Sequence, residues 1–197
     1  MKKVILTLAM AAGVASFSHA QGVKVGLKGG INLSTYAGDD ADGSALKVGP
    51  LAGVALNLGI NDMLSVQPEV LYSVKGAQDE EDSKFKQNLS YIDIPVLLKF
   101  NADGLFFELG PQLGILASAK AKYDDDDMDI KDGFNTVDFG YVAGVGYQLD
   151  GGFNLGLRYN GGITNVAKEV EILGDKYQAK VRNSAFQFYV GYMFGGK

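Results

Sequence analysis

The sequence predicts an all-β fold in which eight antiparallel strands close into an up-and-down barrel. Eight stretches of the chain alternate apolar and polar residues, and a period of two places successive side chains on opposite faces of a pleated strand. The connections between these stretches are long and short in strict alternation. After residue 22, no apolar run is long enough for a membrane helix, because the apolar residues alternate instead of clustering.

Each predicted strand rests on its own apolar set. In chain order, the predicted strands are about Val23–Leu33, Val48–Ile60, Met63–Lys75, Leu89–Phe100, Leu105–Ser118, Thr136–Leu149, Phe153–Thr164 and Ser184–Phe194. In the fourth strand, every second residue from Ile92 to Phe100 is apolar, whereas Asp93 and Lys99 fall on the other face. The apolar sets of the seven others begin at Val23, Val54, Leu64, Leu105, Val137, Leu155 and Phe186.

The connections predict how the strands are arranged. Short turns follow strands two, four and six, at Asn61–Asp62, Asn101–Gly104 and Asp150–Gly152. Long polar segments follow strands one, three, five and seven, at Ser34–Lys47, Gly76–Asn88, Ala119–Asn135 and Asn165–Asn183. An up-and-down barrel collects each kind of connection at one end. A barrel of eight strands has an interior that side chains can just fill.

The first twenty residues predict a cleavable signal peptide, residues 1–20, ahead of a barrel domain at residues 21–197. A basic start, Met1–Lys3, precedes the apolar run Val4–Phe17 and a small-x-small cleavage site at Ser18–Ala20. An N-terminal membrane anchor is the alternative, but the apolar run is shorter than the roughly 20 residues that a spanning helix needs. The chain is therefore expected to be exported.

Two features favour a transmembrane barrel of the outer-membrane type over a soluble barrel that carries an apolar ligand. The polar face is rich in Gly, Ser, Asn and Gln, which suits a narrow lumen better than a water-facing surface. Aromatic residues also cluster near both strand ends, as in the girdles of membrane barrels. These are Phe100, Phe107, Tyr147, Phe153, Tyr192 and Phe194 at the short-turn end, and Tyr72, Phe139, Tyr141, Tyr159 and Phe186 toward the long loops.

This orientation predicts the location and the general partners. The chain is expected in the cell outer membrane, with the short turns and both termini in the periplasm and the long loops outside. Its expected partners are outer-membrane lipid and lipopolysaccharide, the barrel-insertion machinery, and an envelope or secretion protein. The last predicted strand ends on the aromatic Phe194, which that machinery commonly recognises, although Gly195, Gly196 and Lys197 follow it.

The inner face of the predicted barrel carries charged residues that must be paired or hydrated, because an isolated buried charge is very costly. The candidate site is this lumen charge network, and its members are Glu69, Asp93, Lys99, Glu108, Asp138 and Arg158, with Lys24, Lys28 and Lys75 on the same face. By strand alternation, all of these side chains point to the inner face of neighbouring strands. Arg158 and Lys99 are therefore expected to pair with Glu108, Asp93 or Glu69. Two interpretations remain open, a structural network that plugs the barrel and a constricted ion path.

Several motifs resemble those of the PorT-like outer-membrane β-barrel family of Bacteroidetes-type bacteria. The segment from Tyr91 to Phe100 resembles that family's Tyr-x-acidic-Ile-Pro-x-x-Leu-Lys-aromatic strand. Gly110–Gly114, Asp138–Gly140 with Gly144–Gly146, and Leu157–Tyr159 before Gly162–Asn165 complete the resemblance, which covers nearly the whole chain after the signal. The resemblance implies an outer-membrane barrel. Its members differ in function, and some are linked to secretion and gliding machinery.

Composition argues against several classes of function. Without Lys2 and Lys3 the chain carries 16 basic and 23 acidic residues, and this net charge of −7 disfavours nucleic acid as a partner. Cys is absent and the one His lies in the predicted signal, so a triad or a His- or Cys-liganded metal or cofactor cannot be built. We therefore expect no enzyme, no cofactor and no metal. The acidic run Asp124–Asp127 fits a solvated loop, with weak divalent-ion binding as the alternative, because no EF-hand spacing matches it.

Three functions follow from the sequence: a non-enzymatic membrane scaffold or interaction protein, a small pore for ions or small solutes, and a soluble barrel that carries an apolar ligand. The scaffold is favoured, since function concentrates on loops held by rigid frameworks and the long loops are polar.

Overall fold

The structure is a computed structural model that describes residues 22–124, 126–172 and 175–195, so the predicted signal peptide lies outside the described residues. Eight long strands form a closed antiparallel barrel, which confirms the predicted fold class. They are β1 Val23–Ala37, β2 Lys47–Gly59, β3 Leu64–Lys75, β4 Phe85–Ala102, β5 Leu105–Tyr123, β6 Val137–Gln148, β7 Phe153–Gly162 and β8 Arg182–Phe194. Within the described part of the chain, no helix has the length and apolar character needed to cross a membrane.

Each strand pairs with its two neighbours, and the last strand returns to the first. The pairs β1–β2, β2–β3, β3–β4, β4–β5, β5–β6, β6–β7 and β7–β8 are all antiparallel. Strand β1 also pairs with β8, in register from Val25 opposite Phe194 to Ala37 opposite Arg182. Because closure pairs both edges, the barrel has no unsatisfied sheet edge along these strands.

The three short turns join β2 to β3, β4 to β5 and β6 to β7, as predicted. In the second of them, Asp103 and Gly104 both have positive φ, 48° and 87°. Positive φ at both central residues is the requirement of a type I′ hairpin turn, whose twist matches that of the flanking strands.

The sequence underestimated the length of the hairpin formed by β4 and β5. These strands stay paired as far as Phe85 opposite Tyr123, beyond the predicted ends at Leu89 and Ser118. Part of the acidic run is also a strand and not the predicted loop, since Asp126–Asp129 pairs with the end of β5. Asp has low strand propensity, but the backbone ladder and the hydrogen bond from Lys120 to Asp127 override it.

The two faces of the strands are arranged as a membrane barrel requires. Leu109 is 60% exposed on the outside, whereas its neighbour Glu108 is 2% exposed inside. Apolar side chains therefore point outward and most polar ones inward, which is the reverse of a soluble carrier barrel. The interior also contains apolar residues that alternation did not identify, where the chain places two large apolar or aromatic residues in succession; Tyr91, Leu97, Phe106 and Val142 are buried there.

The long loops bind one another above the barrel. Ser44–Ala45 of the first loop pairs with Gln78–Asp79 of the second. The side-chain amide of Asn135 in the third loop donates to two carbonyl oxygens of the fourth, at 2.9 and 3.0 Å. The backbone N–H of Lys180 in the fourth loop donates to the Asp40 carboxylate in the first, at 2.8 Å. The loops therefore form one connected rim.

Candidate functional site

Arg158 is the centre of the polar interior. It lies midway along β7 and is 1% exposed. Its guanidinium donates two hydrogen bonds to the carboxylate of Glu69 on β3, Nη1 to Oε2 at 2.8 Å and Nη2 to Oε1 at 2.7 Å. It also donates to Glu108 on β5, from Nε to Oε1 and from Nη2 to Oε2, the latter at 3.0 Å. The planar, forked donor set of arginine thus bridges carboxylates from two other strands of the barrel.

Lys28 and Tyr189 complete this central cluster. The Lys28 ammonium lies 2.6 Å from Oε1 of Glu69, and the Tyr189 hydroxyl donates to Oε1 of Glu108 at 3.0 Å. The Tyr189 ring also faces both cations, with its centroid 4.1 Å from the Lys28 ammonium and 4.5 Å from the Arg158 guanidinium carbon. Two cations and two carboxylates therefore balance in a layer that strands from all sides of the barrel supply.

Glycine provides the space for this layer. A β-carbon at Gly144 would lie 2.8 Å from Cγ of Arg158, and one at Gly156 would lie 2.4 Å from the Tyr189 ring. Both contacts are far shorter than real carbon contacts. Gly144, together with Gly146, was interpreted from the sequence as a sign of close packing in the lumen, and its surroundings show that packing.

A second cluster lies toward the loops. Lys75 and Asp93 are fully buried there and form an ion pair of 2.9 Å. The Asp138 carboxylate accepts hydrogen bonds from the Thr164 hydroxyl, at 2.9 Å, and from the Asn183 amide, at 2.8 Å. Asp138 is thus held by neutral donors.

Two of the predicted pairings are wrong. Lys99 contacts no carboxylate within the described residues; its ammonium lies 3.6 Å from the centroid of the Phe106 ring. Asp93 binds Lys75 and neither predicted cation. The register places Lys99 directly opposite Glu108, but that carboxylate is turned to the stronger, forked donor Arg158.

Tyr189 was not found by the sequence analysis. It lies on β8, where the outward set was identified from Phe186 to Phe194, so parity alone would have placed Tyr189 inside. A tyrosine on the inner face is a polar lumen residue that can both donate to a carboxylate and face a cation.

The lumen is open below the central cluster, on the side of the short turns. A cavity of about 660 Å³ lies there, and its deepest lining residues include Gln67 and Lys99, whereas Arg158 is not among them. The cavity therefore ends at the central cluster, which separates it from the loop end of the barrel.

The rim formed by the long loops is acidic. Asp127 accepts a hydrogen bond from Lys120, and this bond lowers the pKa of the Asp127 carboxyl. No group of three or more potential ligands comes together as a metal site in the described residues. The acidic side chains there are spread along a strand and its neighbours, an arrangement typical of a solvated surface.

A family model, described as the outer membrane protein beta-barrel domain, matches residues 15–168. No curated protein matches the chain. Among solved structures, Neisserial surface protein A (NspA) is similar at 16% sequence identity and a TM-score of 0.54, over 88% of this chain and 100% of that chain. Ail, the attachment invasion locus protein of Yersinia pestis, solved with the heparin analogue sucrose octasulfate, is similar at 14% identity and a TM-score of 0.51, over 87% of this chain and 99% of that chain. At these identities the likeness concerns the fold.

Proposed function

The chain belongs to the family of the outer membrane protein beta-barrel domain, and from that premise we propose that it is a non-enzymatic scaffold whose lumen is plugged by its own side chains. The observation that carries this proposal is the central cluster. Arg158, Lys28, Glu69, Glu108 and Tyr189 meet across the lumen, all at most 5% exposed, with each carboxylate held by at least two donors.

The cluster fits a plug better than an ion path. A conducting path needs ions to enter and leave a site, and therefore groups that water can reach and that bind weakly. Arg158 instead makes four hydrogen bonds to the two carboxylates, which use four of its five N–H donors. The lumen charges Asp93 and Asp138 then act as structural groups on the loop side of the plug, and Lys99 lies on its other side.

A small pore for ions or small solutes is the second candidate, and the cavity of about 660 Å³ on the short-turn side favours it. The lumen is already open on the short-turn side, so a path would require movement of the central cluster and of the buried second cluster toward the loops. In that case the same residues, Glu69, Glu108 and Arg158, would form the filter.

With a plugged lumen, the loop rim becomes the surface for interaction. Carboxylates such as Asp39, Glu81 and Asp129 expose negative charge there, so the rim suits a basic protein surface or a cation-bridged polysaccharide better than a polyanion. This differs from the sulfated ligand named for Ail. The motifs that resemble the PorT-like subgroup support an envelope or secretion protein as the partner. Without His or Cys in the barrel domain, we infer no catalytic role.

The deciding experiment is single-channel recording in a planar bilayer with the refolded, export-processed chain. We expect a stable barrel with no discrete conductance steps. A variant that removes the plug, Arg158→Ser with Tyr189→Ala, supplies the positive control and is expected to conduct. Discrete steps in the unsubstituted protein that change in size or ion selectivity on Glu108→Gln would overturn the plug and establish the pore.

A further inference from the structure

The cavity at the short-turn end has the features of a binding site. A plugged lumen does not by itself require such a site. Strand ends and short turns line it, with Lys24, Asn57, Gln67, Lys99 and Gln148 among its polar residues. Its volume of about 660 Å³ lies within the range of small-molecule sites, roughly 300–1,000 Å³. With the predicted orientation, it opens toward the periplasm.

Lys99 is the unusual group in this cavity. It is 4% exposed, and in the described part of the chain its ammonium has neither a carboxylate nor a hydrogen-bond acceptor. It lies over the face of the Phe106 ring. The Lys99 ammonium is not among the fully buried polar atoms without a partner in the described residues, so it is accessible from the cavity. A lysine that lines a cavity in this state is ready to receive an anion.

The buried charges of the interior also carry an excess of positive charge. The buried cations of the described residues number five and the buried carboxylates four, and they are Lys28, Lys47, Lys75, Lys99 and Arg158 against Glu69, Asp93, Glu108 and Asp138. The central cluster balances two against two. Toward the loops, Lys75 pairs with Asp93, and Lys47 donates to the backbone carbonyl oxygen of Lys75 at 3.4 Å. Among the described residues, Lys47 and Lys99 are thus the buried cations without a carboxylate partner, and of the two Lys99 also has no backbone acceptor and lines the cavity.

We propose that this cavity binds a small anion, a carboxylate or a phosphate, with Lys99 as its charged anchor and half-buried Lys24 as a second cation. Asp62 and Asp150 lie at the exposed mouth, so the rim disfavours large polyanions and the interior favours one small anionic group. The carboxylate would come from a peptide end or small organic acid, and the phosphate from a free or esterified phosphate. This site is independent of whether the lumen conducts.

The test is titration of the refolded barrel in detergent micelles, followed by NMR of backbone amides and by calorimetry. The probes are acetyl-triglycine with a free carboxylate, its C-terminal amide, and inorganic phosphate. We expect the carboxylate or the phosphate to shift amides near Lys99, and the amide probe to have no effect. Response to acetyl-triglycine alone identifies a carboxylate ligand, response to phosphate alone identifies a phosphate, and response to both a general anion site.

Variants connect this binding to Lys99. K99M removes a charge without a counterion, so it is expected to fold and to weaken binding roughly tenfold or more, whereas K99R retains binding. The matched control is K84M, which removes an exposed lysine on the loop rim. If neither anion titrates, if K99M binds as tightly as the unsubstituted protein, or if K84M weakens binding equally, the proposal is overturned. Heat-modifiable gel mobility verifies that each variant is folded.

Discussion

Replacing Arg158 with Met should destabilise the barrel by about 3–5 kcal/mol, the usual cost of removing one partner from a buried ion pair. The contacts of the two carboxylates show that the substitution leaves one buried charge without an ion pair. After the substitution, Glu69 keeps the Lys28 ammonium at 2.6 Å and the Gln67 amide at 2.7 Å. Glu108 keeps the Tyr189 hydroxyl alone. One buried carboxylate, that of Glu108, therefore loses its ion pair.

A second substitution separates charge imbalance from lost packing. In the double variant with Arg158→Met and Glu108→Gln, the remaining pair of Lys28 and Glu69 is balanced. We expect this variant to recover most of the stability, with a residual loss of about 1–2 kcal/mol from the missing hydrogen bonds. Lys84→Met, which breaks an exposed pair with Asp124, is the control and should cost at most about 1 kcal/mol.

The measurement is equilibrium unfolding in urea of the barrel in lipid vesicles, with the folded fraction read from the mobility of unheated samples on gels. The transition midpoint should fall for the single variant and return for the double. A loss below about 1 kcal/mol for Arg158→Met would refute the argument that the central cluster is a dry, coupled network. Additive losses in the double variant would refute it as well, because coupled charges do not add.

Three further predictions concern the interior, the lipid face and the rim. Gly146→Ala should lower stability by about 1–3 kcal/mol in the same assay, since its methyl group would meet an interior aromatic ring at 2.2 Å, whereas Gly29→Ala, with nothing within 4 Å, should be neutral. Leu157→Arg, at mid-barrel on the lipid face, should cost about 2–4 kcal/mol, and Leu149→Arg near a turn about 1 kcal/mol or less; equal costs would contradict the membrane placement. Asn135→Ala should speed proteolysis of the fourth loop while the barrel stays resistant, because it removes both amide hydrogen bonds to that loop.

The architecture could be predicted from the sequence because it depends on local periodicity. Alternation from Ile92 to Phe100 determines which face of β4 is apolar, and turns such as Asp150–Gly152 determine where the chain reverses. The extension of β4 and β5 to Phe85 and Tyr123 could not be predicted in this way. It depends on pairing with a partner strand, and the residues there are polar enough to suit a loop.

The residues of the candidate site could be predicted from the sequence, but their ion pairs could not. Parity placed Lys99 and Glu108 on the inner face, and the register makes them direct neighbours across β4 and β5. Which cation binds the Glu108 carboxylate depends on how far each side chain reaches across the lumen. Arg158 on β7 reaches this carboxylate with two N–H donors. The reach of a side chain across the lumen cannot be read from residue spacing. The sequence therefore predicts the charged interior but not that Lys99 is unpaired.

The seam between β1 and β8 has a consequence for assembly. Its registered pairs, from Val25 with Phe194 to Ala37 with Arg182, join residues from opposite ends of the sequence, so these contacts carry the highest contact order in the molecule. Closure must therefore wait until the whole chain has been delivered, with both edges exposed until then. Once the barrel is closed, every strand has two neighbours and none is an edge strand. A circular permutant that links residue 194 to residue 23 and opens within the fourth loop is expected to close into the same cylinder.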